Sequence, residues 1–239
     1  MVGDGSRVEA TVVKGDAPLT WEEVPRPEGD VNPPGHEAIL FRSADACFSC
    51  GFWKRLPESG TLAPPFDEIM CILRGEVEVT AQNGSKLCIG PGDILSAPNG
   101  SRARWHSLSP VFKFWAVHHG GVGGGEVSAT HGAGALAWRE SSIPADDGLP
   151  PGREITAYTA GSFSVGLWER DAFDRDFSRD HDEVALILSG EADITTEGGA
   201  VLHAGPGDVF ITPRNSRGHW RSRSPLRKLW AVYEEPSPR

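Results

Sequence analysis

The stretch Glu68–Val79 reads EIMCILRGEVEV, and Glu183–Ile194 reads EVALILSGEADI. In each, a glutamate opens an apolar run, a glycine follows at Gly75 or Gly190, and a second strand-like segment begins directly after it. One phrase written twice in a chain of 239 residues points to an internal duplication, the feature to settle before any local reading. Working outward, the match continues without gaps. CGFWKR at 50–55 aligns with VGLWER at 165–170, GPGDILSAPNG at 90–100 with GPGDVFITPRN from 205, and SPVFKFWAVH at 109–118 with SPLRKLWAVY at 224–233. All of these are shifted by 115 positions, as 183 is from 68. Upstream, LTW at 19–21 pairs with LAW at 136–138 and PPG at 33–35 with PPG at 150–152, now shifted by 117. The second copy is therefore two residues shorter near its start.

Each copy alternates short apolar runs with turn residues and has no long stretch of helical period, which predicts an all-β unit. Asn83-Gly84 and Gly198-Gly199 stand where a tight hairpin needs positive φ. Pro91-Gly92 and Pro206-Gly207 suit the two central positions of a type II turn. The division expected is an N-terminal extension (1–18), a first barrel (19–118), a glycine-rich linker (119–135), a second barrel (136–233) and a tail (234–239).

Composition narrows the partners. A formal charge of -10 offers no basic footprint for nucleic acid or anionic lipid. No run approaches the length of a membrane span, and the first residues lack a basic segment followed by an apolar one, so a cytoplasmic protein is expected. Cys47, Cys50, Cys71 and Cys88 all fall in the first copy without counterparts in the second, and are read as buried structural thiols rather than a redox or metal site.

The residues resemble the cupin superfamily. Glu68-x6-Gly75 and Glu183-x6-Gly190 match the end of its first motif, while Gly92-x5-Pro98-x-Gly100 and Gly207-x5-Pro213-x-Asn215 match the start of its second. With the paired tryptophans and the lysine before the last strand, the pattern looks most like the short cupins typified by ethanolamine-utilisation protein Q, with ureidoglycine aminohydrolase among two-barrel relatives. The resemblance implies two tandem jelly-roll barrels, packed as a pseudo-dimer, with a homodimer as a further option. Cupins generally hold a metal through an H-x-H pair before the glutamate and a third histidine in the second motif. Here the first-motif positions hold Leu62 and Pro64 or Thr61 and Ala63 in one copy, and Phe177 and Arg179 or Asp176 and Ser178 in the other. The second-motif positions hold Ala103 and Gly218. No cofactor is expected on this basis. The alternative is one divalent transition metal in the second barrel, held by His181 and Glu183, which share a face if the strand is continuous.

A bare carboxylate inside a barrel needs a partner or a proton. Lys113 and Lys228, at one repeat position, are candidates to pair with Glu68 and Glu183; the other reading is that each lysine caps a strand end in water. All eight tryptophans are repeat-related, as Trp21/Trp138, Trp53/Trp168, Trp105/Trp220 and Trp115/Trp230. Trp105 and Trp220, two residues past the lost histidine, are expected as cavity walls, with Arg55 and Arg170 at the cavity mouth and the remaining tryptophans in the core. The approach to Glu68, PESGTLAPPFDE, is apolar, whereas the approach to Glu183, DAFDRDFSRDHDE, is charged, so the active cavity is sought in the second copy first.

Three functional readings follow. The leading one is an enzyme acting on a small polar metabolite by hydrolysis, isomerisation or elimination, with Glu183 as acid or base, Lys228 or His181 assisting, and Glu68 with Lys113 as the first-copy counterparts. The others are a metal-free small-molecule-binding protein and an assembly protein with inert barrels.

Overall fold

The computed structural model describes residues 9–25, 32–121, 124–131, 142–143 and 149–235. The chain opens with β1 (Thr11–Val13). The first repeat then supplies β2 (Glu22–Glu23), β3 (His36–Arg42), β4 (Phe48–Arg55), β5 (Ser59–Leu62), β6 (Asp67–Arg74) and β7 (Val77–Ala81). It continues through β8 (Lys86–Ile89), β9 (Ile94–Ala97), β10 (Ala103–Ser107), β11 (Val111–His118) and β12 (Ser128–Thr130). The second supplies β13 (Ser142–Ile143), β14 (Gly152–Ala160), β15 (Phe163–Arg170), β16 (Phe173–Ser178), β17 (Asp182–Ser189) and β18 (Ala192–Thr196). It ends with β19 (Val201–Ala204), β20 (Val209–Thr212), β21 (Arg217–Ser222) and β22 (Leu226–Tyr233).

Each repeat folds as a seven-stranded sheet facing a four-stranded one. The first has the orders β12-β9-β6-β11-β4-β3-β2 and β5-β10-β7-β8, the second β1-β20-β17-β22-β15-β14-β13 and β16-β21-β18-β19. The described residues contain no helix, and the chain divides into two compact units, each organised around one repeat. This is the all-β pair of jelly-roll barrels that the duplication predicts.

Side-chain alternation places the cores. Along β10, Ala103, Trp105 and Ser107 are buried while Arg104 and His106 are exposed, the period-two signature of a sheet with one wet face. In the first barrel, Met70, Ile72, Val77, Val79 and Leu95 form the packed centre with Trp105. In the second, Ala185, Ile187, Ile194, Phe210 and Leu226 do so around Trp220. Edge-to-face contacts between Trp220 and both Phe173 and Phe210 fix the indole plane there.

Two boundary expectations, and one about the cysteines, differ from what forms. The segment read as an N-terminal extension contains β1, which pairs antiparallel with β20 and so closes the edge of the second repeat's large sheet. Lys14 and the backbone N–H of Gly15 both hold Asp208, at 2.7 and 2.9 Å. The segment read as a glycine-rich linker contains β12, paired with β9 at the matching edge of the first repeat's sheet. Both additions cover backbone groups that an open edge would leave unpaired, which is why segments of only three residues, TVV and SAT, become strand there. The cysteines also divide: Cys50 and Cys71 are buried, Cys47 half-buried and Cys88 exposed, all as free thiols. Burial pushes the Cys50 thiol up and the Cys71 thiol up to about 12, so neither is a nucleophile at neutral pH. Trp138 and the end of the tail lie outside the described residues.

Candidate ligand sites inside the barrels

Strand register builds the centre of each site. In the first barrel β3 sets Glu37 opposite Trp53, and β4 sets Trp53 opposite Lys113, so three chemistry-bearing side chains form one row across the sheet. Glu68 lies on the next strand, opposite Val117 of β11. Lys113 reaches back along the inner face and donates to Glu68 Oε1 at 2.8 Å. Its ammonium stands 4.9 Å from the ring centroid of Trp53 and 5.6 Å from that of Trp105, which faces it from the other sheet. Two indole faces and a carboxylate thus enclose the cation.

The second barrel repeats the arrangement. Trp168 pairs across strands with Lys228, and Glu183 lies opposite Val232. Lys228 donates to Glu183 Oε1, with its ammonium 5.1 Å from the Trp168 ring and 4.7 Å from the Trp220 ring. Here a second cation is added: Arg179 places an Nη atom 2.9 Å from Glu183 Oε2. His181, on the residue preceding β17, brings Nε2 to 3.9 Å from the same oxygen while its Nδ1 meets Asp180 at 2.8 Å. With exposures of 7% and 6%, Lys113 and Lys228 are buried partners of the glutamates and not strand caps in water.

Both barrels are open. The first encloses a cavity of about 480 Å³ that includes Glu37, Glu68, Lys113, Trp53 and Trp105 in its lining. The second has a cavity of about 340 Å³ whose lining includes Glu154, Glu183, Lys228, Trp168 and Trp220. The apolar approach to Glu68 does not make its cavity apolar, because Glu37 and Arg42 enter from β3.

Electrostatics separate the two carboxylates in the second cavity. Burial alone would push the Glu183 carboxyl up, but Arg179, Lys228 and His181 outweigh it and hold the group well below the usual carboxylate range. Glu154 goes the other way, raised by burial against the opposing pull of Lys228 and Arg170. Burial also draws Lys228 below its ordinary value, although the Glu183 carboxylate resists this. In the first cavity, burial likewise raises Glu37.

His181 is held above its ordinary value, chiefly by the Glu183 carboxylate beside its Nε2. A histidine with a raised folded pKa stabilises the fold fully below its unfolded value near 6.5, and loses that contribution as pH rises through the folded value. The expected result is that wild-type protein loses up to about 1 kcal/mol more stability than His181→Gln between pH 6 and pH 9, the scale of a partly exposed pair. Urea denaturation at both pH values measures it. Parallel curves for the two proteins would remove His181 from the cluster.

The positions where cupin histidines would stand now have visible occupants. The Phe177 ring lies against Gly218, where an added Cβ would meet ring carbons at 3.0 Å, so a phenyl group fills the space of two lost ligands. Arg179 occupies the other first-motif position and turns its guanidinium onto the glutamate. A divalent ion does not fit this donor set: both oxygens of Glu183 are engaged by cations, and His181 is held toward its protonated form. Among the described residues no group of three or more histidine, cysteine, aspartate or glutamate side chains converges as a metal site.

Of the residues singled out by sequence, Glu68, Lys113 and Trp105 share the first cavity, and Glu183, Lys228 and Trp220 share the second. Arg55 and Arg170 are in neither of these linings, although the Arg170 guanidinium stands 5.7 Å from the centroid of the Trp168 ring. Arg55 Nε donates to the Pro33 carbonyl and its guanidinium pairs with Glu58, while Arg170 donates to the Pro150 carbonyl. They tie down the two PPG segments, a structural duty that explains their repetition. Trp53 and Trp168, assigned to the core, instead form walls beside the lysines. Sequence reasoning missed Glu37 and Glu154. The signal was present, since PPG-x-E occurs in both copies at the shift of 117, as 154 is from 37.

Two closed jelly rolls with a motif glutamate inside each define a two-barrel cupin. The chain belongs to the family of EutQ-like cupin domains, whose family model matches residues 42–115 and again 158–230. No curated protein sequence matches it significantly. Among solved structures, a protein of unknown function from Pseudomonas syringae pv. tomato superposes with a TM-score of 0.71 at 16% identity, covering 93% of this chain and 98% of that one. Protein Ylba from E. coli gives 0.67 at 13% identity, with coverages of 96% and 93%. A variant of oxalate decarboxylase from Bacillus subtilis gives 0.57 at 12% identity, with coverages of 99% and 79%. At such identities the likeness is one of fold. Among the described residues no helix is long and apolar enough to cross a membrane.

Proposed function

We propose that the second barrel is the working site of a metal-independent cupin enzyme, which binds a small polar metabolite and moves a proton on it in a hydrolysis, isomerisation or elimination. The observation that carries this reading is the buried Glu183–Lys228–Arg179 cluster opening onto a cavity of small-molecule size, with a second carboxylate, Glu154, in the same lining. Paired groups whose environments push their proton affinities apart are the usual basis for dividing acid and base roles.

The roles differ from those that sequence alone suggests. A carboxylate that accepts from an ammonium and a guanidinium is a weak base, so Glu183 acts as the anchor that orients Lys228 and Arg179. Glu154, raised by burial, is the better acid or base, and Lys228, drawn down by burial, is the second proton carrier. Trp168 and Trp220 hold the ligand body. The first barrel, with Glu37, Glu68 and Lys113, offers the same parts with one cation fewer on its motif glutamate.

Glu154→Gln tests the division of labour. In a metabolite panel followed by NMR, the variant is expected to bind any substrate within about threefold of wild type while turning it over 10²-fold or more slowly, the scale of general acid–base catalysis. Equal turnover removes Glu154 from the chemistry. Saturable binding without turnover by the wild type would favour the second reading, a metal-free binding protein, which the full engagement of Glu183 also suits.

A further inference from the structure

The two barrels differ most in one wall. Strand β16 turns Phe173, Arg175 and Phe177 toward the second cavity, and Arg179 continues the same alternation just beyond its end. The repeat-equivalent positions of the first barrel are Glu58, Gly60, Leu62 and Pro64, which bring no cation. Asp174 and Asp176, between the inward residues, point outward and bind His219, at 2.6 and 2.9 Å. The charged run along β16 is thus sorted by strand alternation: Asp174 and Asp176 face solvent, while Arg175 and Arg179 face the cavity.

The result is a surplus of positive charge inside. Arg175, Arg179 and Lys228 line the second cavity against Glu154 and Glu183, and the ionised Glu183 is already neutralised by Lys228 alone. The first cavity has no such surplus, because Glu37 and Glu68 stand against Arg42 and Lys113 while Glu58 is paired with Arg55. Around the arginines the walls are aromatic faces. Phe177 lies under the Arg179 guanidinium, 5.3 Å from its ring centroid, and the Trp168 and Trp220 rings are stacked 6.4 Å apart.

We infer that the second barrel selects a small carboxylate with a flat, apolar body, whose charge is met by Arg175 and Arg179 and whose body lies against the aromatic walls. This rests on reading the second cavity as the working site, and it adds the chemical class of its ligand. Guanidinium groups are well matched to carboxylates, a low-dielectric, aromatic wall strengthens that attraction, and the same guanidinium charge repels ammonium ligands. A cavity of about 340 Å³ lies at the small end of ligand pockets, which limits the body to about one ring or a short unsaturated chain.

Isothermal titration of the full chain with benzoate, benzamide, benzylamine and acetate at one ionic strength tests the inference. Benzoate is expected to bind at least tenfold more tightly than each of the other three, which lack the charge, reverse it or lack the ring. Arg175→Gln should erase that tenfold advantage over benzamide. Arg221→Gln, which removes a cation from the outer face of the same barrel, should leave it unchanged. A thermal melt of each variant checks that it is folded.

Benzamide or benzylamine binding as tightly as benzoate overturns the inference, as does a benzoate affinity that Arg175→Gln does not change. Absence of binding by all four probes also overturns it. The acid–base reading of Glu154 would survive each of these results with a ligand of another class, because Glu154→Gln is read by turnover.

Discussion

Replacing Glu183 with glutamine is expected to destabilise the second barrel by about 3–5 kcal/mol, the usual consequence of removing one partner from a buried ion pair. The change keeps volume and shape, so packing around Trp220 is preserved and the loss is electrostatic. Lys228 is 6% exposed and would be left among indole rings with no counter-charge from β17. Arg179, at 18% side-chain exposure, can swing outward, whereas Lys228 can only deprotonate. Urea denaturation followed by tryptophan fluorescence reads the effect as an earlier transition for one barrel, because two units of this kind need not unfold together. The double variant Glu183→Met/Lys228→Met removes both charges at once and should recover most of the loss. Glu68→Gln should cost less, since Glu68 faces one cation where Glu183 faces two. A Glu183→Gln protein within about 0.5 kcal/mol of wild type would show that the pair is solvated and that the site as described does not exist.

The second large effect belongs to the glycine of the repeated phrase. Gly190 turns the chain from β17 into β18 at φ +83, and an added Cβ would press into the Pro225 carbonyl oxygen. Gly75 does the same in the first repeat at φ +93, against Pro110. Alanine at 190 therefore incurs the left-handed penalty of about 1–2 kcal/mol and a backbone collision worth about 1–3 kcal/mol more. A loss of roughly 2–5 kcal/mol in urea is expected. Gly199→Ala is the internal comparison. Gly199 has φ +86, but an added Cβ meets nothing within 4 Å, so it should show the left-handed penalty alone. Equal losses at the two positions would mean that the close approach at Pro225 is relieved at no cost.

These two residues bound the phrase from which the fold was legible. A glutamate that needs a partner and a glycine that cannot carry a side chain recur at fixed spacing because each closes one turn of the same barrel, twice. The paired prolines and tryptophans extended the match, and Lys113 and Lys228 were visible as charges opening apolar strands. The edge strands were not visible. Thr11–Val13 and Ser128–Thr130 are too short to show a period, and nothing local tells which sheet edge they complete.

The site was legible in part for a related reason. Glu68 and Glu183 were found because they sit in a motif, but their neighbours come from strands distant in sequence. Glu154 lies on β14 and Lys228 on β22, and only pairing through β15 brings them to one wall. Arg55 and Arg170 lie two residues beyond the wall tryptophans, on the same strand face, but each ends its strand and turns its guanidinium onto a carbonyl, Pro33 or Pro150, that sequence does not place there. Arg179 was noted as a missing histidine, when its own guanidinium is what replaces the metal's charge at Glu183.

The amino-acid sequence by itself determined the duplication, the all-β barrels and the identity of the motif acids Glu68 and Glu183, because repetition, alternation and turn chemistry are properties of neighbouring residues. Only the tertiary structure decided which cations meet those acids, how each cavity is charged and where the edge strands dock. Those outcomes depend on cross-strand register and burial, which bring together residues that the chain keeps far apart, and desolvation then sets which of them remain charged.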